Sequence, residues 1–570
     1  MRIALLQLNS RLGDPEANGL ALENAYREAL ALGADLVLSA EMAVGGYLAE
    51  DRLWEAGLRR AVTRESERLA GITGPVPLVF GTCSPSPTGR LWNELWWCQD
   101  GGVRTVARKR ILPAYDVFDE SRYFEADPGR QALVDHLGER VGLSVCEDLW
   151  ANPVLAPGPI LYPFDPIADL AEQGATLILN ASASPGHLGS FLPPGRSAPW
   201  AAPSKLALRK RLLQGHAARH GVAIAYASRV GSESWLTFDG GSGLVLPDGT
   251  WQRDEFFREG VVMTDTSAAG SPWPAEPGEA QWLRRALGTG LRENMDKQGL
   301  EAAVVGLSGG IDSSVVAAMA AESLGPERVL GIALPTAYTS QESLDLAREQ
   351  ARVLGIPFLQ LDAGLPFAGA ARALEAAFPD RKFGLTDENF QSRCRGMLLM
   401  GATSEPAVHR LLGTTRVAVL NTGNKSEAAT GYFTLYGDGI GAFGILGDCL
   451  KARVFALARE LGDAIPAGVL NRRPTAELRP DQTDEASLMP YAQLDAILGI
   501  LLEARREEDR VPEDLACALE GPALDQARAA LPRVFALLRN SEFKRRQLPF
   551  SLKVSPWAFG RGRRIPLTAK

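Results

Sequence analysis

Apolar runs alternate with stretches of helical spacing along the first half of the chain. The apolar runs predict strands at 3–8, 35–40, 77–81, 141–145, 176–179, 223–227 and within 240–249. Leucine and alanine at helical spacing predict a helix over 18–32. Two more runs, 91–97 and 103–109, flank Asp100-Gly101-Gly102 and predict a hairpin, because an Asp-Gly pair favours a tight turn.

In the second half, apolar strands alternate with helical runs at the spacing of a parallel sheet. Strands are predicted at 302–307, 329–334, 358–361 and 416–421, and helices at 315–321, 341–354 and 387–399. This order predicts an α/β domain with an open, doubly wound parallel sheet, in which ligands bind at the carboxyl ends of the strands. Residues 268–278 are rich in proline and small residues and predict an interdomain linker.

Composition narrows the class of protein. The chain has 570 residues, too many for one hydrophobic core, so two or more domains are expected. A net charge of −8 without a long basic run argues against nucleic acid as a partner. No apolar run could span a bilayer, and Met1 leads directly into a strand, so neither a membrane segment nor a signal peptide is expected. The six scattered cysteines indicate neither a disulfide framework nor a zinc site, and a reducing cytoplasm is the expected setting.

The stretch Ser308-Gly309-Gly310-Ile311-Asp312-Ser313-Ser314 joins a predicted strand to a predicted helix. A glycine turn in that position directs backbone N–H groups and a helix N-terminus at an anion. Asp312 would repel a phosphate unless it holds Mg²⁺, which then bridges to the phosphates. The stretch lacks the Walker A lysine. A serine-capped turn at an ordinary helix start is the alternative interpretation.

This stretch resembles the S-G-G-x-D-S loop of the ATP pyrophosphatases. Those enzymes cleave ATP between the α and β phosphates and adenylate a substrate oxygen. The resemblance implies ATP as co-substrate and Mg²⁺ as cofactor. The loop residues that it implies for ATP binding are Ser308, Gly309, Gly310, Asp312, Ser313 and Ser314.

Three polar residues, Glu41, Lys109 and Cys146, stand where predicted strands end. Each alone has an ordinary alternative: a surface acid, one member of a solvated basic cluster, or a buried small side chain. Together they supply a base, a cation and a nucleophile, which is the set that covalent amide hydrolysis requires.

Their local sequences resemble the carbon–nitrogen hydrolase (nitrilase) superfamily: Ala40-Glu41-Met42, Lys109-Arg110-Ile111-Leu112-Pro113 and Val145-Cys146-Glu147-Asp148-Leu149-Trp150. The resemblance implies a four-layer αββα sandwich over residues 1–265 with a Glu-Lys-Cys amidase site. Cys146 would attack the amide, Glu41 would take the thiol proton, and Lys109 would lower the thiol pKa and stabilise the oxyanion. Glu120 matches a second glutamate that positions the lysine; a surface acid is the alternative.

The glutaminase branch of this superfamily holds the free amino acid in a charged pocket. After the serine-containing strand end at 180–185, a proline- and glycine-rich insertion, 186–203, precedes Lys205 and Arg209, which stand four apart like the family's lysine and arginine. The residues that the resemblance implies for glutamine binding are Tyr115, Glu147, Ser184 and Arg209.

Four further blocks in the second half carry a wider resemblance. They are E-N-F-Q-S-R-C-R at 388–395, N-K-S-E-x-x-x-G-Y-F-T-x-Y-G-D at 424–438, P-T-A-E-L-R-P-x-Q-x-D-E at 474–485 and F-K-R-R-Q at 543–547. With the loop they resemble the glutamine-dependent NAD⁺ synthetases over nearly the whole chain. The resemblance implies a glutaminase domain at 1–265, a linker at 266–279 and a synthetase domain at 280–570. It also implies the substrates deamido-NAD⁺, ATP and L-glutamine, and a homo-oligomer, often an octamer.

Site residues follow from the same resemblance. Asp312 and Glu427 would hold Mg²⁺, Thr422 would contact ATP, and Lys451 would contact its phosphates. The residues implied for deamido-NAD⁺ binding are Asn389, Arg393, Glu427, Asp438, Glu485 and Lys544.

Two alternatives remain open at this point. One is another glutamine-dependent adenylating synthetase, although the GMP and asparagine enzymes pair this loop with other glutaminase folds. The other is a nucleotide-sensing protein with an inactive amidase, against which the intact Cys146, Lys109 and Asp312 argue.

Overall fold

The computed structural model describes residues 1–156, 162–253, 256–273, 275–475, 477–479, 482, 485 and 488–568. Its contacts divide the chain into two compact units. The first consists of Met1–Gly186 and Lys205–Glu276, and the second of His187–Ser204 and Pro277–Lys570. Among the described residues, no helix has the length and apolar character needed to cross a membrane.

The first unit alternates strands and helices. Its helices α1 to α4 are Pro15–Ala31, Ala56–Gly71, Pro166–Glu172 and Lys205–His220. Its strands β1 to β14 are Arg2–Gln7, Leu36–Ser39, Leu78–Pro85, Leu91–Gln99, Gly102–Arg108, Val134–His136, Glu139–Val145, Leu177–Ser182, Ala223–Ser228, Val230–Glu233, Leu236–Asp239, Gly243–Val245, Trp251–Arg253 and Gly260–Asp265.

The second unit is richer in helix. Its strands β15 to β19 are Ala302–Gly306, Val329–Ala333, Phe358–Gln360, Val417–Asn421 and Phe443–Gly444. Its helices α5 to α17 are Glu279–Lys297, Ile311–Leu324, Gln341–Leu354, Gly364–Ala377, Leu385–Ala402, Pro406–Leu412, Lys425–Thr430, Lys451–Glu460, Ala467–Asn471, Tyr491–Leu498, Val511–Asp514, Gly521–Asn540 and Glu542–Arg545.

Two six-stranded sheets form the centre of the first unit. Their strand orders are β14-β1-β2-β3-β4-β5 and β13-β12-β9-β8-β7-β6. Central strands run parallel, with Ile3 opposite Leu36 in the first sheet and Val141 opposite Leu177 in the second. The outer strands pair antiparallel with their neighbours.

The two sheets are stacked face to face. Ile3 of β1 and Val141 of β7 belong to one buried apolar cluster, which fills the space between the sheets. On the outer face of the first sheet, Leu6 packs in a cluster with Val62 of α2 and with residues of α1. On the outer face of the second sheet, Ile178 packs with residues of α3 and α4. This layer order confirms the predicted αββα sandwich.

Most predicted elements are present with shifted ends. The helix predicted over 18–32 begins at Pro15, because the Asp14 side chain accepts a backbone N–H of its first turn and caps it. The predicted hairpin is β4–β5, and Asp100 and Gly101 in its turn have φ of 52° and 80°. The sequence prediction does not include β14, which pairs with β1 along its whole length.

A five-stranded parallel sheet of order β17-β16-β15-β18-β19 forms the centre of the second unit. This order confirms the doubly wound sheet. Strand β15 lies between β16 and β18, so the chain order reverses there, and such a switch point is where ligands bind. The loops that follow β15 and β18 begin at Leu307 and Thr422 and open at the same edge.

Contacts place the proline- and glycine-rich segment 187–204 in the second unit. The backbone N–H of Leu188 donates to the carbonyl of Val554 at 2.9 Å. The N–H of Phe191 donates to the carboxylate of Glu503 at 2.8 Å. These partners are more than 300 residues away in sequence, so local composition gives no sign of them.

Candidate active sites

Cys146 is the first residue of the turn Cys146–Trp150, which directly follows β7. Its φ is 42°, in the left-handed region, which costs a non-glycine residue on the order of 1–3 kcal/mol. The side chain is buried. The strained turn therefore fixes the thiol at the carboxyl end of a central strand.

Lys109 lies between two buried carboxylates. Its Nζ is 2.7 Å from Oε1 of Glu41 and 2.7 Å from Oε1 of Glu120. Glu41 also accepts from the Asn93 side-chain amide at 2.8 Å and from the Ala183 backbone N–H at 3.0 Å. The structure thus brings the predicted acid, cation and second acid into one hydrogen-bonded group.

These charges act on the thiol in opposite directions. Burial and the Glu41 carboxylate raise the pKa of Cys146 well above its usual value, and the lowering effect of Lys109 does not outweigh them. Burial alone would lower the pKa of Lys109, but Glu120 and Glu41 raise it well above its usual value. The resting thiol is therefore neutral, and a base must remove its proton before it can attack.

Asp148 connects the nucleophile turn to the loop that carries Lys109. One of its oxygens accepts the backbone N–H groups of Arg110 at 3.0 Å and Ile111 at 2.9 Å, and the other accepts that of Val145 at 3.0 Å. Burial raises the pKa of Asp148 to about 7. The sequence prediction assigned no role to Asp148. Only the position of Asp148 within the 145–150 block could have indicated that it supports the nucleophile.

Glu147 is a buried carboxylate contacted by two tyrosines. The hydroxyl of Tyr162 donates to it at 2.7 Å and that of Tyr115 at 3.2 Å. Lys205 Nζ lies 3.5 Å from the centre of the Trp150 ring, and burial lowers the pKa of Lys205 to about 8. The structure thus brings together Tyr115 and Glu147, both predicted to bind glutamine. Tyr162, which the prediction omits, is a second tyrosine that donates a hydrogen bond to Glu147.

Arg209, which was predicted to bind glutamine, forms an ion pair and hydrogen bonds with other residues of its own unit. Its guanidinium is 3.1 Å from Oδ1 of Asp239 and donates to the carbonyls of Gly240 at 3.1 Å and Ser184 at 3.4 Å. Burial would lower the pKa of Arg209, but Asp239 raises it. Glutamine binding by Arg209 and Ser184 stays a prediction.

A cavity of about 440 Å³ opens at the switch point of the second unit. The predicted residues that line it are Ser308, Gly310, Asp312, Ser313, Asn389, Thr422, Glu427, Asp438, Lys451 and Lys544. Gly309, Ser314, Arg393 and Glu485 are outside this lining. Arg393 donates to the carbonyl of Leu435 at 3.2 Å, and Glu485 is exposed.

Close packing and hydrogen bonds constrain the backbone conformation of the glycine loop. Gly309 has φ of 74°, and a Cβ there would lie 2.4 Å from the carbonyl oxygen of Ser343. The hydroxyls of Ser308 and Ser313 are 3.1 Å apart, and the N–H of Gly310 donates to the Ser308 hydroxyl at 3.2 Å. Only glycine fits at position 309 without displacing the neighbouring backbone.

Asp312 and Glu427, the predicted Mg²⁺ ligands, approach the same cation. Lys451 Nζ forms an ion pair with Oδ2 of Asp312 and lies 3.5 Å from Oε1 of Glu427. The Asn424 side-chain amide donates to Oδ1 of Asp312 at 3.0 Å, and its backbone N–H donates to Oε2 of Glu427 at 3.2 Å. The loops after β15 and β18 therefore bring the two carboxylates together.

Lys544 and Asp438 are two further predicted residues in the cavity lining. Lys544 Nζ donates to the carbonyls of Gly431 at 2.8 Å and Phe433 at 2.7 Å, and burial lowers its pKa. Asp438 accepts from the Ser392 hydroxyl at 2.8 Å. Both side chains are held in place by the unit's own backbone and side chains.

The lining also contains charged residues that the sequence prediction omits: Glu388, Arg395, Arg472, Arg473 and Glu477. The carboxylate of Glu477 accepts the hydroxyls of Ser340 at 2.8 Å and Ser343 at 2.7 Å. Three of the omitted residues lie inside the blocks at 388–395 and 474–485, so the motifs were the signal that could have found them.

Two family models match the chain. One is described as carbon-nitrogen hydrolase and matches residues 2–270; the other is described as NAD synthase and matches residues 283–548. The solved glutamine-dependent NAD⁺ synthetase of Acinetobacter baumannii, in complex with ADP, is 29% identical with a TM-score of 0.72, and the match covers 99% of this chain and 98% of that one. A glutamine-dependent NAD(+) synthetase from Cytophaga hutchinsonii, 19% identical with a TM-score of 0.79, shows the same fold over 100% of this chain and 98% of that one.

Curated relatives extend over the full length. The glutamine-dependent NAD(+) synthetase of Synechocystis sp. is 37% identical over 99% of this chain and 98% of its own. That of Thermotoga maritima is 35% identical over 100% of this chain and 98% of its own. With both family models, both site geometries and this full-length identity in agreement, the chain belongs to the glutamine-dependent NAD⁺ synthetase family.

Proposed function

We propose that this protein is a ligase that amidates deamido-NAD⁺ to NAD⁺, with ATP as co-substrate and with ammonia released from L-glutamine. AMP, pyrophosphate and glutamate are the other products. The observation that carries the proposal is the presence, in one chain, of the Glu41–Lys109–Glu120 group beside Cys146 and the Asp312–Lys451–Glu427 group in the switch-point cavity. Full-length identity to the curated synthetases supports it.

Glutamine hydrolysis belongs to the first unit. Cys146 attacks the carboxamide carbon, Glu41 accepts the thiol proton and passes it to the departing ammonia, and a thioester remains on Cys146. Water activated by Glu41 then hydrolyses the thioester to glutamate. Lys109 supplies positive charge near the developing oxyanion, and Glu120 positions Lys109. The raised pKa of the thiol supports this assignment, because it makes a base necessary.

Amidation belongs to the second unit. The nicotinate carboxylate of deamido-NAD⁺ attacks the α-phosphorus of ATP, so that an acyl adenylate forms and pyrophosphate leaves. Ammonia attacks the activated carbonyl carbon, and AMP leaves with the electron pair of the broken C–O bond. The carboxylate needs this activation because it is a poor electrophile and hydroxide is a poor leaving group.

Mg²⁺ fits the donors that Asp312 and Glu427 present. Both offer carboxylate oxygens, the ligands that Mg²⁺ prefers, and both already approach one positive charge at Lys451. When bound, Mg²⁺ would neutralise charge on the phosphates of ATP. Ser308, Gly310 and Ser314 are assigned to the pyrophosphate, although Ser314 lies outside the cavity lining. Thr422 and Lys451 would contact ATP and its phosphates.

The dinucleotide would bind elsewhere in the same cavity. Lys544 and Asp438 are assigned to its nicotinate end, together with Glu485, and Asn389 and Arg393 to the rest of the molecule. The support is the presence of Asn389, Asp438 and Lys544 in the cavity lining. Arg395 also lines the cavity, with its Nε donating to the carbonyl of Leu334 at 3.1 Å, and it is an additional candidate contact.

The test is a single reaction mixture of the purified chain with deamido-NAD⁺, ATP, Mg²⁺ and glutamine, analysed by mass spectrometry. NAD⁺ and AMP in equal amounts, together with glutamate, are expected. No AMP in this mixture, but AMP in a parallel mixture in which another carboxylate replaces deamido-NAD⁺, would identify a different adenylating synthetase. Nucleotide binding without any product would identify a binding protein with an inactive amidase.

The domain boundaries 1–265, 266–279 and 280–570 and a homo-oligomeric, octameric assembly stay predictions. In the structure β14 ends at Asp265 and α5 begins at Glu279. Size-exclusion chromatography with light scattering measures the assembly directly.

A further inference from the structure

Asp165, His216 and His220 form a cluster in the first unit. One ligand atom from each of the three lies within 4.8 Å of the other two. His216 and His220 are four residues apart on α4, so they project from the same face of the helix. Asp165 caps the start of α3. No other such group of histidine, cysteine and acidic side chains occurs among the residues that the structure describes.

The hydrogen bond of His216 determines which of its nitrogens is free. Nε2 lies 2.9 Å from the carbonyl oxygen of Leu149, and because a carbonyl only accepts, Nε2 must carry the proton. In the neutral ring Nδ1 therefore carries a lone pair. That atom is buried without a hydrogen-bond partner. Metal-binding histidines commonly donate their other N–H to a backbone carbonyl in this way.

The side chains of His220 and Asp165 also have atoms that could bind a metal ion. His220 Nε2 is buried and has no hydrogen-bond partner. The two imidazole rings are nearly parallel, with centres 5.9 Å apart. Asp165 is oriented by the Asn152 side-chain amide at 2.8 Å and by the N–H groups of Ile167 at 3.0 Å and Ala168 at 3.2 Å. Both backbone N–H groups donate to Oδ1, whereas Oδ2 accepts only from Asn152, so Oδ2 keeps one lone pair that these bonds leave unused.

We propose that Asp165, His216 and His220 bind one divalent metal ion that prefers imidazole, with Zn²⁺ the best match, and that this ion stabilises the glutaminase unit. Two histidines, one carboxylate and a water molecule form a common tetrahedral zinc set. Ligand atoms in such a set are about 3.4 Å apart for metal bonds of about 2.1 Å. The three ligand atoms, which lie within 4.8 Å of one another, would have to move closer to reach that spacing when the ion binds. This site is separate from the Mg²⁺ assigned to the second unit.

The position of the cluster gives the ion a structural role. It joins the end of α4 to the start of α3, and through the Nε2–H of His216 it reaches Leu149 in the nucleophile turn. Helix α4 also carries Lys205, which lies beside the ring of Trp150. A bound ion would therefore stabilise the wall of the predicted glutamine pocket without contacting glutamine.

Metal binding is tested on the full-length chain with Cys146→Ala, which removes the predicted reactive thiol as a competing ligand. After treatment with a chelator and dialysis, Zn²⁺ and Co²⁺ are titrated and the bound metal is counted. We expect one ion per chain, a Co²⁺ visible spectrum typical of tetrahedral nitrogen and oxygen ligation, and a higher midpoint of thermal unfolding with Zn²⁺. His220→Gln in the same background should weaken binding at least tenfold and remove the thermal shift.

Two further variants test whether the ion binds at this cluster and not elsewhere on the chain. Asp165→Asn keeps an oxygen for the two N–H groups that cap α3 but removes the charge and the acceptor for Asn152, so it should fold and bind the ion more weakly. His409→Gln, on a helix of the second unit, should bind like the parent. Equal binding in His220→Gln and the parent, a spectrum typical of thiolate ligation, or no ion retained by the parent would each overturn the proposal.

Discussion

Glu120 lies 2.7 Å from Lys109 Nζ, and both side chains are buried. Burial raises the pKa of Glu120 to about 7, although the charge of Lys109 lowers it. One of the two carboxylates that hold Lys109 is therefore expected to become protonated as the pH falls through about 7, well above the range in which an ordinary glutamate titrates. This one ion pair makes the charge arrangement around Cys146 sensitive to pH near neutrality.

Glu120→Gln should remove that pH dependence. In the parent protein, glutamine hydrolysis should fall on the acidic side with an apparent pKa of about 7. The variant should lose this acidic limb, and its kcat at alkaline pH should be lower by roughly 10- to 100-fold, because Lys109 is less well positioned. Glutamate release measured across the neutral range gives the profile. An unchanged acidic limb in a folded variant would assign the titration to another group, such as Asp148.

Features that arise from local pattern were predictable from the sequence. The apolar runs predicted most of the strands of both units, although not β6, β10, β11, β13, β14 or β19. The strand–glycine–helix order around Ser308 predicted the switch-point loop. The motifs located Glu41, Lys109 and Cys146 because each stands at a strand end. Contacts between distant segments were not predictable: the hydrogen bonds that Asp148 accepts from Arg110 and Ile111 and the pairing of Arg209 with Asp239 leave no local pattern.

Gly309→Ala should destabilise the second unit more than Gly310→Ala. Position 309 has φ of 74°, where an L-residue costs about 1–2 kcal/mol, and the added Cβ would meet the Ser343 carbonyl oxygen at 2.4 Å. At position 310 the nearest atom is the Ser308 hydroxyl, a side-chain atom at 3.2 Å. Urea unfolding of the two variants measures the difference. Equal midpoints would show that the loop relaxes around the new methyl group.

Asp312→Asn should abolish adenylation with either nitrogen source. The variant removes one of the two carboxylates that approach Lys451 and are assigned to Mg²⁺, so charge on the phosphates is no longer neutralised. Pyrophosphate release should fall by about 100-fold or more, while glutamine hydrolysis without the other substrates persists. Asp463→Asn, at an exposed position outside the cavity lining, is the control. Near-normal, Mg²⁺-dependent pyrophosphate release by Asp312→Asn would refute the assignment.

Lys544→Ala should raise the KM for deamido-NAD⁺ more than the KM for ATP. The nicotinate carboxylate is the group that distinguishes the dinucleotide, and a charged hydrogen bond to it contributes ~1.5–3 kcal/mol, or roughly tenfold or more in KM. Arg546→Ala, two residues away and outside the lining, should leave both values unchanged. Lys544 also donates to the carbonyls of Gly431 and Phe433. Equal rises in both KM values would therefore assign it to loop support alone.

Cys146→Ala should separate the two reactions by nitrogen source. The variant should lose NAD⁺ synthesis from glutamine, because the thiol is the nucleophile that liberates ammonia. It should keep synthesis from ammonium salts, because the adenylate formed in the cavity of the second unit accepts ammonia of any origin. The assay runs with glutamine near neutral pH and with ammonium at raised pH, where more of the nitrogen is free ammonia. The deleted thiol is buried in the first unit, whereas Asp312 lies in the second, so the variant leaves the adenylation residues intact. Loss of both activities in a folded variant, or glutamine-dependent synthesis that survives, would refute the division of chemistry between Cys146 and the Ser308 loop.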